Sequence, residues 1–161
     1  MKWFILPVLS LFLVACTPNN TNQAETIFPA PLKDVDETAG LAILIDGIPL
    51  QLNKTIYTQQ SETTYLDSKN PGIVHIKKSP LTWQDFFDSH VFELTEDCVT
   101  INTRSTYCSN DNETLKVFYN GDRVKTLGDK PLRQGDQVLI SFGNQEGVEI
   151  QRQLNMIPKQ P

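Results

Sequence analysis

The side chains with the most reactive chemistry in this chain are three cysteines and two histidines: Cys16, Cys98, Cys108, His75 and His90. Cys98 and Cys108 form an even pair, which reads as a disulfide in an exported chain because oxidising compartments join thiols that the cytosol keeps reduced. Cys98-Val99-Thr100-Ile101 and Thr106-Tyr107-Cys108 look like two extended arms of a hairpin able to bring the two Cα atoms to bridging distance. Their spacing lacks the local geometry of a redox-active Cys-x-x-Cys. His75 lies in an apolar, strand-like run between Val74 and Ile76. It is a possible ligand for copper or zinc, but metal sets normally need further histidines, thiolates or carboxylates. The favoured reading is a structural or interaction histidine. His90 follows a helix-like stretch, where the helix dipole favours a cationic imidazole without any catalysis.

Carboxylates are the next candidates. Asp85, Asp88, Glu93, Glu96 and Asp97 form an acidic stretch, and paired carboxylates can hydrolyse glycosides. Asp85 is better placed as a helix cap, and the others read as a solvated rim. Ser109-Asn110-Asp111-Asn112-Glu113 is rich in oxygen, like part of a calcium loop, but lacks the glycine and the glutamate spacing of an EF-hand. No nucleophile elbow, zinc helix, phosphate-binding glycine loop or Cys-x-x-Cys occurs. The sequence therefore assigns no catalytic residue, calls for no cofactor and reads as a non-enzyme.

The N-terminus carries the sharpest signal. Met1-Lys2 supplies one positive charge, and Trp3 to Ala15 is almost wholly apolar. This is the pattern of a secretory signal peptide. As a helix the run would span only about 20 Å, against a hydrocarbon core of about 30 Å, so a permanent transmembrane helix is not expected. It ends in Leu13-Val14-Ala15-Cys16, which resembles the bacterial lipobox. The resemblance implies a lipidated Cys16, cleavage before it, and a protein held on the extracytoplasmic side of a membrane. With Thr17 rather than Asp after the cysteine, it implies the outer membrane if the cell has two, and the outer face of the plasma membrane otherwise. Two or three acyl chains hold a protein durably where one does not.

The net charge is −5, and loss of Lys2 with the leader makes the mature chain more negative still. Nucleic-acid affinity rests on Lys and Arg neutralising phosphates, so a nucleic-acid partner is not expected. The expected partners are the membrane, through the lipid, and an envelope protein or cell-wall component. Residues 1–15 read as the leader, 16–36 as a lipidated flexible tether, 37–157 as a single extracytoplasmic domain, and 158–161 as a disordered tail. The tether is rich in Asn, Thr, Gln and Pro and cannot bury enough surface to offset its ordering entropy.

Within the domain, Leu41 to Ile45 is a strand, and Asp46-Gly47 turns it into Ile48-Pro49-Leu50, an edge strand with its proline outward. Asn53 to Asn70 is mostly loop, with a short strand near Thr63–Leu66. Ile73 to Lys77 is a strand. Thr82 to Ser89 is the main helix: Thr82 caps it with Asp85, and Trp83, Phe86 and Phe87 form its buried face. Val91–Leu94 and Cys98–Ile101 look extended. Leu115 to Tyr119 turns through Asn120-Gly121 into Asp122–Val124. Gln137 to Phe142 is an alternating strand, and Glu146 to Leu154 a short C-terminal helix ended by Pro158. The fold class is α+β: a small mixed sheet with hairpins packed on one main helix, plus a short C-terminal helix.

The stretch Leu132 to Ile140, with Gly135-Asp136 before its strand, is similar to the last strand of ubiquitin-like sulfur carriers, which implies a β-grasp-like domain. The chain lacks their Gly-Gly end, so their chemistry does not transfer. Asp46-Gly47, Gly72-Ile73-Val74-His75, Thr82-Trp83-Gln84-Asp85-Phe86-Phe87, Asn120-Gly121 and Gly135-Asp136-Gln137-Val138 together resemble a family of uncharacterised membrane-anchored extracytoplasmic domains. Many of its members carry His-x-His-Asp before the Gly-x-x-His, which implies a metal site. Here those places read Leu66, Ser68 and Lys69, and only His75 remains.

The expected function is a non-enzymatic cell-envelope lipoprotein acting as a binding module. A copper- or zinc-handling protein with a reduced site around His75 is the alternative. If Cys16 carries the anchor, Cys16→Ser abolishes lipid labelling and releases the protein from the membrane fraction. Fractionation at high salt checks this, and continued membrane association refutes it.

Overall fold

The structure, a computed structural model, describes residues 30–58 and 61–159. Strand β1 (Lys33–Ile45) turns through Asp46 and Gly47 into β2 (Ile48–Pro49). Both turn residues have positive φ, 52° and 77°, as a two-residue hairpin with the right twist requires. Helix α1 (Thr55–Thr58), β3 (Thr64–Leu66) and β4 (Ile73–Ser79) follow. Strand β5 (Leu81–Thr82) leads into α2 (Trp83–Asp88). Strands β6 (Phe92–Leu94), β7 (Cys98–Ile101) and β8 (Ser105–Cys108) form a separate meander. Strand β9 (Thr114–Tyr119) turns at Asn120-Gly121 into β10 (Asp122–Val124). Strands β11 (Pro131–Leu132) and β12 (Gln137–Gly143) and helix α3 (Val148–Leu154) complete the described chain.

The main sheet runs β10-β9-β12-β1-β4-β3, with β2 paired to the far end of β1. Its two central strands, β1 and β12, are parallel, and every other pair is antiparallel. The central pair is buried on both faces, which explains why Leu41 to Ile45 reads as a continuous apolar run and why β12, expected as an alternating strand, carries Leu139 as well as Val138, Ile140 and Phe142. On one face Leu41, Ile43, Val74, Ile76, Val138 and Ile140 meet Trp83, Phe86 and Phe87 of α2 and the inner residues of the meander. Complete burial of each such side chain contributes about 1.5–3 kcal/mol. On the other face Leu44 and Leu139 pack under Leu154 and Ile157, from α3 and the turn after it.

The α+β class expected from the sequence is the class observed, but the proportions differ. The three helices among the described residues have four, six and seven residues, so none of them layers the sheet as a single main helix. Three large aromatics within one and a half turns supply the burial that a longer helix would spread out, and the meander fills the rest of that face. The cap is as expected: Thr82 Oγ1 accepts the Asp85 N–H, and the Asp85 carboxylate accepts the Thr82 N–H at 2.7 Å. Helix α3 starts at Val148 and is capped by Asn155, so it ends before Pro158.

Two boundaries also move. Residues 33–36, expected in the tether, belong to β1. Ion pairs of Asp36 with Lys77 and of Asp34 with Lys78, both at 2.6 Å, lie across β1 and β4 there, and a bulge between Asp34 and Glu37 resets the register. Pro158, expected in a disordered tail, lies against β1: a Cβ at Gly40 would sit 2.6 Å from its carbonyl oxygen. Glycine at position 40 is what permits that approach. The polar stretch 53–70, read mostly as loop, holds α1 in addition to the short strand expected near Thr63–Leu66, which is β3.

Cys98 and Cys108 are joined. They are direct partners across β7 and β8, with Cα atoms 4.1 Å apart. The Ser109 N–H donates to the Asp97 carbonyl, which makes the cysteines a non-hydrogen-bonded pair, the closer kind in an antiparallel ladder. Closing a loop of this size contributes roughly 3 kcal/mol in the chain-entropy account. Replacing both cysteines by serine should therefore lower unfolding free energy by about that amount, read by denaturant titration. Unreduced, denatured Cys16→Ser protein should show no reactive thiol, and reduction should expose the Cys98 and Cys108 pair.

Candidate functional site

Strand alternation decides where His75 points. Its neighbours Val74 and Ile76 enter the main core, so His75 stands on the opposite face. Tyr65 of β3 and Thr38 of β1 are its direct partners across the ladder. The Tyr65 and His75 rings stack, centroids 4.5 Å apart and planes within 6°. The Lys77 ammonium, paired with Asp36, sits 5.9 Å from the Tyr65 ring centre. Helix α3 and Ile157 cover only the Leu44–Leu139 half of this face. The half bearing Tyr65, His75 and Thr38 is open enough to form two adjoining hollows, which share His75 and Asp67.

Asp67 is the residue that sequence reasoning missed. It follows β3 and begins the turn into β4. Its Oδ1 accepts the N–H groups of Lys69 at 2.6 Å and Asn70 at 3.1 Å. Its Oδ2 accepts from the Asn70 side chain at 3.1 Å and lies 3.2 Å from His75 Nε2. These donors, the Lys69 N–H first and the Asn70 side chain next, hold its carboxyl well below the usual carboxylate range against a smaller opposing effect of burial. The signal was present in the sequence: Asp three residues before Asn70-Pro71-Gly72 is a turn-forming aspartate.

The arrangement is a poor start for a metal site. An ionised carboxylate has about four acceptor positions, and Asp67 uses all of them within the turn and toward His75. Leu66, the first of the three places where the resemblance implied a metal motif, is buried in the main core on the face away from His75. Ser68 and Lys69 are exposed on the turn. Among the described residues, no group of three or more His, Cys, Asp or Glu stands close enough to hold a metal ion. Cys16 and the leader lie outside the described residues.

The remaining candidates have structural employment. Asp85 caps α2, Asp88 accepts from Gln84 at 2.7 Å, and Glu93, Glu96 and Asp97 are exposed. In the 109–113 loop, Asn110 Oδ1 accepts the N–H groups of Asn112 and Glu113, so this oxygen folds a turn. Asp136 is buried and ties two turns together, accepting from the Tyr119 hydroxyl, the Asn120 amide and the Arg133 N–H. That is the physical reason for Gly135-Asp136 ahead of β12. No protein family, curated protein or solved structure matches the chain. Among the described residues no helix is long and apolar enough to cross a membrane.

His90 departs from the sequence reading. It was expected as a cation on the helix dipole, but it is buried. Its Nδ1 is 2.7 Å from the Phe86 carbonyl, and its ring stacks on Phe86 with centroids 4.2 Å apart. Nε2 is buried with no hydrogen-bond partner among the described residues. Burial pushes its pKa below the ordinary 6.5, outweighing the Phe86 carbonyl, which pulls the other way. The unfolded chain thus binds this proton more readily than the folded one. The stabilisation is complete above the unfolded value of 6.5 and is lost as pH falls below it. Asp67, also depressed, loses its contribution only below its unfolded value of 3.8, so the two windows separate. Thermal melts between about pH 7 and pH 5 should show falling stability, and His90→Gln should flatten that slope.

Proposed function

We propose that the chain is a non-enzymatic bacterial cell-envelope lipoprotein, anchored through Cys16 on the extracytoplasmic side of a membrane, whose domain works as a binding module for an envelope protein or cell-wall component. The observation that carries the reading is the uncovered half of the sheet's second face. There Tyr65, stacked on His75, and the fixed carboxylate of Asp67 line one hollow, and His75 and Asp67 also line a second beside it. Exposed concave surface built on a rigid sheet is characteristic of a recognition site.

The lipobox resemblance at Leu13 to Cys16 supports the anchor, and the Asn-, Thr- and Pro-rich stretch after it supports a tether. The β-grasp-like description is supported by the strand order. A parallel pair at the centre, β1 and β12, is flanked by antiparallel β4 and β9, with α2 between those two in sequence and packed on one face. Together with the motifs that resemble membrane-anchored extracytoplasmic domains, this favours a binding domain over an enzyme. No observation favours the copper- or zinc-handling alternative, since the one carboxylate paired with His75 is committed to its turn.

A photocrosslinking residue at exposed Ser68, in the lipidated chain on native membranes, tests the proposal. A discrete adduct is expected, weakened by Tyr65→Ala and missing when the crosslinker sits at Asp122 on the opposite edge strand. No adduct, or the same adducts from both positions, refutes it.

A further inference from the structure

We infer that the hollow beside Tyr65 and His75 binds an uncharged oligosaccharide. This rests on the binding-module reading and names the ligand class for the same surface. The hollow is open, about 770 Å³ in volume, and its walls carry the hydroxyls of Thr58, Ser61 and Ser68, the Glu62 carboxylate and the Lys69 ammonium.

Charge excludes several ligand classes. Asp67 is occupied by its own turn, which leaves Glu62 and Lys69, opposite in sign, in this hollow and Lys159 in the adjoining one. A phosphate, a carboxylate or a nucleic-acid backbone is normally held by converging cations, and two lysines that line different hollows do not converge on one group. An extended peptide needs a free strand edge or an apolar groove. Tyr65 lies on the terminal strand, but its neighbours Thr64 and Leu66 are only 0% and 1% exposed, so that edge presents no accessible ladder.

A ligand rich in hydroxyls fits what remains. Each sugar hydroxyl both donates and accepts, and the residues lining the hollow include an acceptor in Glu62, a donor in Lys69 and the hydroxyls of Thr58 and Ser68, while the Ser61 hydroxyl is bonded to Thr63. His75 also lines the hollow, with its Nε2 held 3.2 Å from the Asp67 carboxylate. Tyr65, which lines the hollow, supplies apolar ring surface against which the C–H groups of a pyranose can pack. The second hollow, about 580 Å³, is lined by Thr38, Ile73, Pro158 and Lys159 and shares Asp67 and His75 with the first. A linear sugar chain long enough to pass over that shared pair occupies both, so affinity rises with chain length.

The test is an NMR titration of the full mature chain carrying Cys16→Ser, isotopically labelled and disulfide-intact. The probes are cellotetraose, chitotetraose and maltotetraose, with the matching monosaccharides and inorganic phosphate as controls. At least one tetrasaccharide should shift the signals of Tyr65, Ser68 and His75 and bind more tightly than its monosaccharide. Tyr65→Ala and Glu62→Ala should each weaken it by about tenfold. Glu62 is exposed, so Glu62→Ala leaves the fold intact and keeps the test decisive. Three results would overturn the inference: no shift with any tetrasaccharide at about 10 mM, shifts unchanged in both variants, or tighter binding of phosphate than of the sugars. A protein adduct at Ser68 beside a flat sugar titration removes the saccharide inference alone. Absence of both removes the binding-module reading with it.

Discussion

The parallel pairing of β1 with β12 is the constraint on which the rest of the structure depends. It runs from Gly40 opposite Gln137 to Ile45 opposite Phe142, and it joins segments from the two ends of the domain. Parallel neighbours need a long connection, and here the connection is nearly the whole fold. Strand β4, α2, the disulfide-bonded meander and β9 all lie between the two central strands in sequence. They must therefore leave one edge of the central pair and return to the other. Because β1 and β12 are buried on both faces, each face needs its own cover.

The two faces are covered to different extents. Trp83, Phe86 and Phe87, with the inner side chains of the meander, close the first completely. The second receives α3 and Ile157 over Leu44 and Leu139. Beyond them, strand alternation leaves Tyr65, His75 and Thr38 with no helix or strand above among the described residues. The proposed recognition surface is thus what a short cover leaves open. Its detail comes from one turn: Asp67 folds the link between β3 and β4, and the same carboxylate orients His75.

Buried polar groups mark where the faces are tied down. Lys116 is 1% exposed, yet its ammonium donates to the Gly143 carbonyl at 2.7 Å and lies 3.6 Å from Glu146. A buried cation is tolerable only with such partners, and these fix the end of β12 as the chain leaves for α3. Asp136 does the same at the other end of β12, where it accepts from Tyr119, Asn120 and Arg133. His90 solves the problem differently, by remaining neutral against Phe86.

Local chemistry was legible in the sequence wherever it is decided by near neighbours. The Asp46-Gly47 and Asn120-Gly121 turns, the Thr82–Asp85 cap and the Cys98–Cys108 hairpin all follow from residues a few positions apart, because turn dihedrals, capping bonds and a cross-strand bridge are short-range. So does the α+β class, from the alternation of strand and helix patterns. The parallel partnership of β1 and β12 was not legible, since an apolar run declares burial but not which distant strand supplies it. The residues at 33–36 read as tether because their partners, Lys77 and Lys78, are far along the chain. His90 read as a cation because its burial depends on how α2 docks. His75 was visible as a lone histidine, whereas its stack on Tyr65, its bond to Asp67 and its open hollow exist only where three strands lie side by side. Sequence specified these side chains and their local turns, and only the tertiary pairing of distant strands made them one surface.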